Sequence, residues 1–202
     1  MRASGTIGCQ RFPCLDVRRE GYILPDLRLP AERIKLVLIS EAAPLNVQDY
    51  YYSPGKPLFL ETTVQAFRDA GAEISSLKDL LDRGVYLTTA VKCAKAGYTI
   101  KKDTVRECSA ILAAELALFS RVRALLLMGD AAIQALNEVA RRAGEKRVIP
   151  AGATYKIRGQ PYFFRDIRVF PSYLQAGPSF FIEKSKRRTI AEDIAAALRL
   201  AE

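Results

Sequence analysis

Four continuous apolar runs punctuate the chain: IKLVLI at Ile34 to Ile39, VYLTTAV at Val85 to Val91, RALLLM at Arg123 to Met128 and DIRVF at Asp166 to Phe170. Apolar runs without alternation, free of Gly and Pro, read as strands buried on both faces. Between them the apolar positions recur at helical spacing. Helices are predicted over Leu60 to Ala70, over Ser75 to Leu81 with Ser75 or Ser76 as cap, and over Asp103 to Ser120. In the last of these Val105, Cys108, Ile111, Leu112, Leu116 and Phe119 share a face, and Thr104 with Glu107 spells a capping box. A fourth helix follows Gly129, with Asp130 as cap, Ile133, Leu136 and Ala140 inward and Gly144 as its stop. A fifth runs from Glu183 to Leu200 with Ile190, Ile194, Ala197 and Leu198 inward, while Ala153 to Phe164 reads as a hairpin about Gly159 and Gln160. Residues 1–33 hold too few apolar positions to fold alone and form an arm against the body. Strands alternating with helices predict an α/β fold: residues 1–202 as one three-layer α/β/α domain around a four-stranded parallel sheet.

In such sheets ligands bind at the carboxyl ends of the strands. The central stretch VYLTTAVKCAKAGYTIKKDTVREC, Val85 to Cys108, puts one cysteine at a strand end and another just inside the following helix. The first strand opens into SEAAPLNVQDYYYSPGKPLF, a long loop with three consecutive tyrosines. Loops of that length inside a compact domain are usually functional. The tyrosines either wall a pocket or bury the loop.

Composition narrows the chemistry. At 202 residues, 50% of them hydrophobic, the chain can bury one substantial core. A net charge of +9 favours a polyanionic partner, nucleic acid first, or a generically basic surface. Lys92, Lys95, Lys101, Lys102 and Arg106 crowd the second strand end, and Lys184, Lys186, Arg187 and Arg188 follow the fourth. Both sets could neutralise phosphates, and the last could equally be a solvated helix face. No apolar run reaches the ~18 residues of a membrane span, and MRASGTIGC lacks the apolar stretch of a signal peptide, so a cytoplasmic protein is expected. In that compartment four cysteines read as metal ligands or inert thiols rather than disulfides. There is no histidine, which excludes His ligands and His bases. Cys9 and Cys14 form a C-x4-C pair, and with Cys93 and Cys108 suit an all-cysteine iron–sulfur or zinc site. The alternative is a buried helix-face thiol at Cys108 with the others incidental.

Taken in order, the strand-end segments resemble those of the uracil-DNA glycosylase superfamily, especially its iron–sulfur type called family 4. That family's loops of the form GEAPG, TNVVKC and HPS are similar to Ser40-Glu41-Ala42-Ala43-Pro44, Thr88-Thr89-Ala90-Val91-Lys92-Cys93 and Phe170-Pro171-Ser172 here, and LLLMGDAAIQAL resembles its third strand and helix. The resemblance covers roughly residues 9 to 200. It implies a 4Fe–4S cluster held by Cys9, Cys14, Cys93 and Cys108, with zinc or no metal as the alternatives. It implies Glu41 and Asp49 as catalytic acids, and a base pocket of Ala42, Pro44, Phe59, Thr89 and Phe170. It implies DNA contacts from Lys92, Ser172, Leu174, Lys184, Arg187 and Arg188, with Leu174 as the wedge that enters the base stack.

Two departures stand out. Thr89 occupies the place of an Asn that reads the uracil edge, and Phe170 that of a His that bonds the base oxygen. The implied activity is hydrolysis of an N-glycosidic bond in DNA, by a monomer with little action on uracil. Two other readings stay open: a non-catalytic nucleic-acid-binding iron–sulfur protein, and an unrelated doubly wound enzyme acting on nucleotides.

Overall fold

A computed structural model describes residues 7–25 and 31–201; the arm's residues 1–6 and 26–30, and Glu202, lie outside the described residues. The elements in chain order are β1 (Val17–Arg18), β2 (Leu36–Ala43), α1 (Leu58–Asp69), α2 (Leu77–Asp82), β3 (Val85–Lys95), α3 (Lys102–Leu116), β4 (Ala124–Met128), α4 (Asp130–Arg142), α5 (Thr154–Ile157), β5 (Tyr162–Phe164), β6 (Ile167–Ser172), α6 (Ser179–Ile182) and α7 (Lys184–Ala201). The four apolar runs are β2, β3, β4 and β6, which pair in parallel in the order β3-β2-β4-β6. Each crossover carries helices, so both faces are covered and near-continuous apolar runs are required.

Side-chain alternation divides the core in two. Val37, Ile39, Tyr86, Ala90, Leu125 and Leu127 pack with Val105, Cys108 and Leu112 of α3 and Ile133, Leu136 and Ala140 of α4. Leu36, Leu38, Val85, Leu87, Leu126 and Phe170 pack with Val64 and Phe67 of α1 and Ile190, Ile194 and Ala197 of α7. Among the described residues no helix is long and apolar enough to cross a membrane.

Several expectations are corrected. Among the described residues the sheet has six strands rather than four, because β1 and β5 add antiparallel edges. The expected hairpin about Gly159 is absent. Residues 154–157 form a helical turn that buries Thr154 and Ile157, and β5 instead turns back onto β6 at Arg165, whose φ is 55°. The Thr104 capping box does not form: α3 starts after Lys101, and the Thr104 hydroxyl bonds the carboxylate of Asp16 in the arm. Asp130 does not cap α4, whose N-cap is Gly129. Ser76 does cap α2, in a reciprocal box with Asp79, and Gly144 follows α4 with a φ of 73°.

Candidate functional site

Five segments converge at the carboxyl edge of the sheet around a cleft of about 720 Å³. They are the end of β2, the loop from Pro44 to Asp49, the first turn of α1, the turn from Lys95 to Tyr98, and the loop from Leu174 to Ser179. Glu41, Ala42, Pro44, Asp49, Phe59 and Leu174, all expected site residues, line it.

Glu41 is delivered by β2 to the N-terminus of α4. Its Oε1 accepts from the Ala131 N–H at 3.4 Å, and its Oε2 lies 3.8 Å from Lys95 Nζ. A helix N-terminus and an ammonium both attract a negatively charged side chain. Asp49 ends a short 3-10 turn over Val47–Asp49 that the Asn46 side chain caps. The two acids therefore stand in one cleft on separate, locally braced segments. Phe59 sits in the first turn of α1, beginning after Pro57, with its ring 5.5 Å from that of Tyr51.

The tyrosines bury the loop rather than wall the cleft. Tyr50 and Tyr51 are fully buried. The Tyr51 hydroxyl joins a buried group with Ser40, Gln175 and Thr63, in which the Gln175 side-chain amide donates to Ser40 Oγ and Thr63 Oγ1 at 3.1 Å. Burial pushes the Tyr51 phenol up to about 12, so it stays a neutral donor. Tyr52 bonds the backbone of Leu87. Gln175 thus ties the loop after β6 to the end of β2, a link between residues far apart in sequence.

Other expected site residues lie elsewhere. Lys92 has a fully buried side chain whose Nζ donates to Glu115 Oε2 at 2.6 Å, Thr88 Oγ1 at 2.7 Å and the Thr89 carbonyl at 2.6 Å. All three ammonium donors are used inside the protein, so Lys92 is not a phosphate contact. Ser172 is buried too and its hydroxyl donates to Asp193 at 2.6 Å. Thr89 is fully buried with an unpartnered hydroxyl and does not line the cleft. Phe170 packs in the α1/α7 core beneath the Arg168 guanidinium, likewise outside the cleft.

Arg187 pairs with Asp69 of α1, whereas Lys184 and Arg188 remain on the exposed face of α7. Leu174 is half-buried against the α1/α7 core. The exposed large apolar side chains that line the cleft are Leu45, at 63%, and Tyr98, at 100%. Sequence reasoning missed both; the available signal was a lone aromatic in a Gly-containing loop.

A second concavity, about 820 Å³, lies between the arm and α3 and is lined by Cys9, Cys14 and Cys108. The arm reaches it because β1 pairs with the end of β3 and Asp16 accepts the Lys101 N–H at 2.7 Å. The four cysteines are free thiols. Burial, then the neighbouring Cys108, Cys9 and Cys14, pushes the Cys93 thiol up to about 12. Burial likewise raises Cys108 and Cys14, and each of these also feels Cys9. The four thiols come from the arm, β3 and α3. Among the described residues no group of three or more Cys, Asp or Glu is close enough together to hold a metal ion as it stands. The donor chemistry itself, four free thiols and no histidine, fits an all-thiolate site.

No curated protein matches the chain. The family model described as the uracil DNA glycosylase superfamily matches residues 28–195, a span that includes the four parallel strands and every segment around the cleft, and the chain belongs to that superfamily.

Proposed function

We propose that this protein is a DNA base-excision glycosylase of the iron–sulfur type, acting on a damaged or deaminated base other than uracil. The observation that carries this reading is the cleft itself: two carboxylates, Glu41 and Asp49, and an aromatic platform, Phe59, at the carboxyl edge of the sheet. A base flipped out of DNA would stack on Phe59. As the C1′–N bond breaks the sugar gains positive charge, which a carboxylate stabilises while another positions the attacking water. Exposed Lys184 and Arg188 supply phosphate contacts.

Uracil is disfavoured because the positions that would read it offer no donor to the cleft. The check is a panel of oligonucleotides, each carrying one uracil, hypoxanthine, xanthine or mismatched base, with alkali-induced strand scission as readout. The expected result is release of at least one base other than uracil, with uracil slower by about a hundredfold or more, the cost of one missing donor. Efficient uracil release would overturn the specificity reading. Salt-dependent DNA binding without release of any base would instead select a non-catalytic DNA-binding protein on this scaffold, a reading that the buried Thr89 and Phe170 favour.

Cys9, Cys14, Cys93 and Cys108 would hold the 4Fe–4S cluster, whose contribution is structural: it would tie the arm to β3 and α3. Protein purified anaerobically is expected to be brown, and Cys93→Ala or Cys108→Ala to lose the broad visible absorption and most of the iron. A colourless, iron-free and fully folded preparation would remove the cluster from the account.

A further inference from the structure

A base that leaves with the bonding electrons needs a positive charge or a strong donor beside it. Neither Thr89 nor Phe170 reaches the cleft, and Lys92 is spent on Glu115. Among the described residues that line the cleft there is one cation, Lys95. It is the last residue of β3 and pairs with Val17 of β1, and the preceding Ala94 pairs with Ala43 of β2. Its side chain is 38% exposed, and among the described residues its Nζ makes two long contacts, 3.8 Å to Glu41 Oε2 and 3.4 Å to the Tyr98 carbonyl. An ammonium carries three donors. With both contacts loose, Lys95 has donor capacity that the buried Lys92 lacks. The surroundings are largely apolar, with Ala42, Pro44, Leu58, Phe59 and Leu174 on the same cleft. Apolar walls lower the local dielectric and strengthen a charge interaction there.

We infer that Lys95 is a catalytic residue of this site, its ammonium stabilising the negative charge that develops on the departing base. This rests on the glycosylase reading above and names a residue that the resemblance did not supply. The C1′–N bond breaks heterolytically, and its electron pair leaves with the base. Water then bonds to C1′, and the proton it loses passes to Glu41 or Asp49 and from there to the released base. Lys95 keeps its protons throughout and contributes a charge-assisted hydrogen bond. Glu41, 3.8 Å from the ammonium, holds it at the cleft.

The competing role is a structural one, in which Lys95 only braces Glu41 and the Tyr98 turn. The two roles differ in how rate depends on the leaving base. Single-turnover release is measured for the unchanged protein, Lys95→Met and Lys95→Arg, on DNA carrying a base that the unchanged protein releases. A halogenated form of the same base, which departs more easily as an anion, serves as the second substrate. Circular dichroism and the DNA dissociation constant establish that each variant is folded and binds.

For Lys95→Met the rate on the unmodified base should fall about a hundred- to thousandfold, with little change in binding. The loss on the halogenated base should be at least several-fold smaller, and Lys95→Arg should recover part of the rate on both. Equal losses on the two bases, or a rate within about twofold of the unchanged protein, would assign Lys95 to structure and overturn the inference while leaving the glycosylase reading intact. If the unchanged protein releases no base from any substrate of the panel, the glycosylase reading falls and this inference falls with it.

Discussion

Glu115→Ala should lower the melting temperature by roughly 6 to 20 °C, the largest stability loss expected from a single substitution in this chain. Glu115 of α3 and Lys92 of β3 both have side chains that are 0% exposed. Besides Lys92, the Glu115 carboxylate accepts from the Tyr86 hydroxyl at 2.6 Å and from Thr88 Oγ1 at 2.8 Å. Removing it strands an ammonium in the core together with two hydroxyls, and breaking a buried ion pair in this way costs about 3–5 kcal/mol. The pair as a whole is a different matter, since taking two charges out of water offsets most of their attraction. Lys92→Met combined with Glu115→Leu should therefore recover more than half of the lost stability, short of full recovery because Tyr86 and Thr88 still lose an acceptor. Thermal melts followed by circular dichroism decide the matter. A Glu115→Ala protein that melts within about 2 °C of the unchanged chain would mean that the cavity admits water or that the pair contributes nothing. The pair also joins β3 to α3, the two elements that carry Cys93 and Cys108, so the same variant should hold iron less firmly if the cluster is present.

The second large effect is expected at Gly129, where stability and chemistry are lost together. Gly129 turns β4 into α4 with φ 100° and ψ 168°, a region that is essentially Gly-only and costs other residues about 1–3 kcal/mol. A Cβ at this position would lie 2.7 Å from both Cγ and Oε1 of Glu41. Gly129→Ala must therefore strain the turn and push the Glu41 carboxylate out of place. A displacement of about 1 Å at a reacting group can cost on the order of a hundredfold in rate. The expected result is a melting temperature lower by a few degrees and base release slower by about that factor, with DNA binding little changed. Gly159→Ala is the control: nothing lies within 4 Å of its Cβ position, and it should stay within about 0.5 kcal/mol of the unchanged protein. If Gly129→Ala released base at the unchanged rate, Glu41 would not need its present position.

Local signals carried much of this protein. Each of the four parallel strands needs both faces apolar, so IKLVLI, VYLTTAV, RALLLM and DIRVF could be read without knowing their neighbours. Because strands alternate with helices, the order of motifs along the chain also implied that their ends meet at one edge. Which residues stand there came from the resemblance of the strand-end segments to the superfamily's loops, and of those Glu41, Asp49, Phe59 and Leu174 do line the cleft. Short-range geometry was read less well where a distant partner competed: Thr104 bonds Asp16 instead of capping its own helix, and the β5–β6 turn forms at Arg165 rather than at the glycine nearby.

Only the tertiary structure decided what each polar side chain faces. Lys92 looked like surface charge beside Lys95, but Lys92 runs inward to Glu115 on α3 while Lys95 ends the strand in the cleft. Ser172 meets Asp193, Arg187 meets Asp69 and Gln175 meets Ser40 across separations that no local pattern encodes. A strand's period of two says which residues share a face, but the partner on that face comes from the packing of helices distant in sequence. For apolar residues that difference is small, because any apolar neighbour serves. For a charge or a hydroxyl it determines whether the group is spent on the fold or left to act on a substrate.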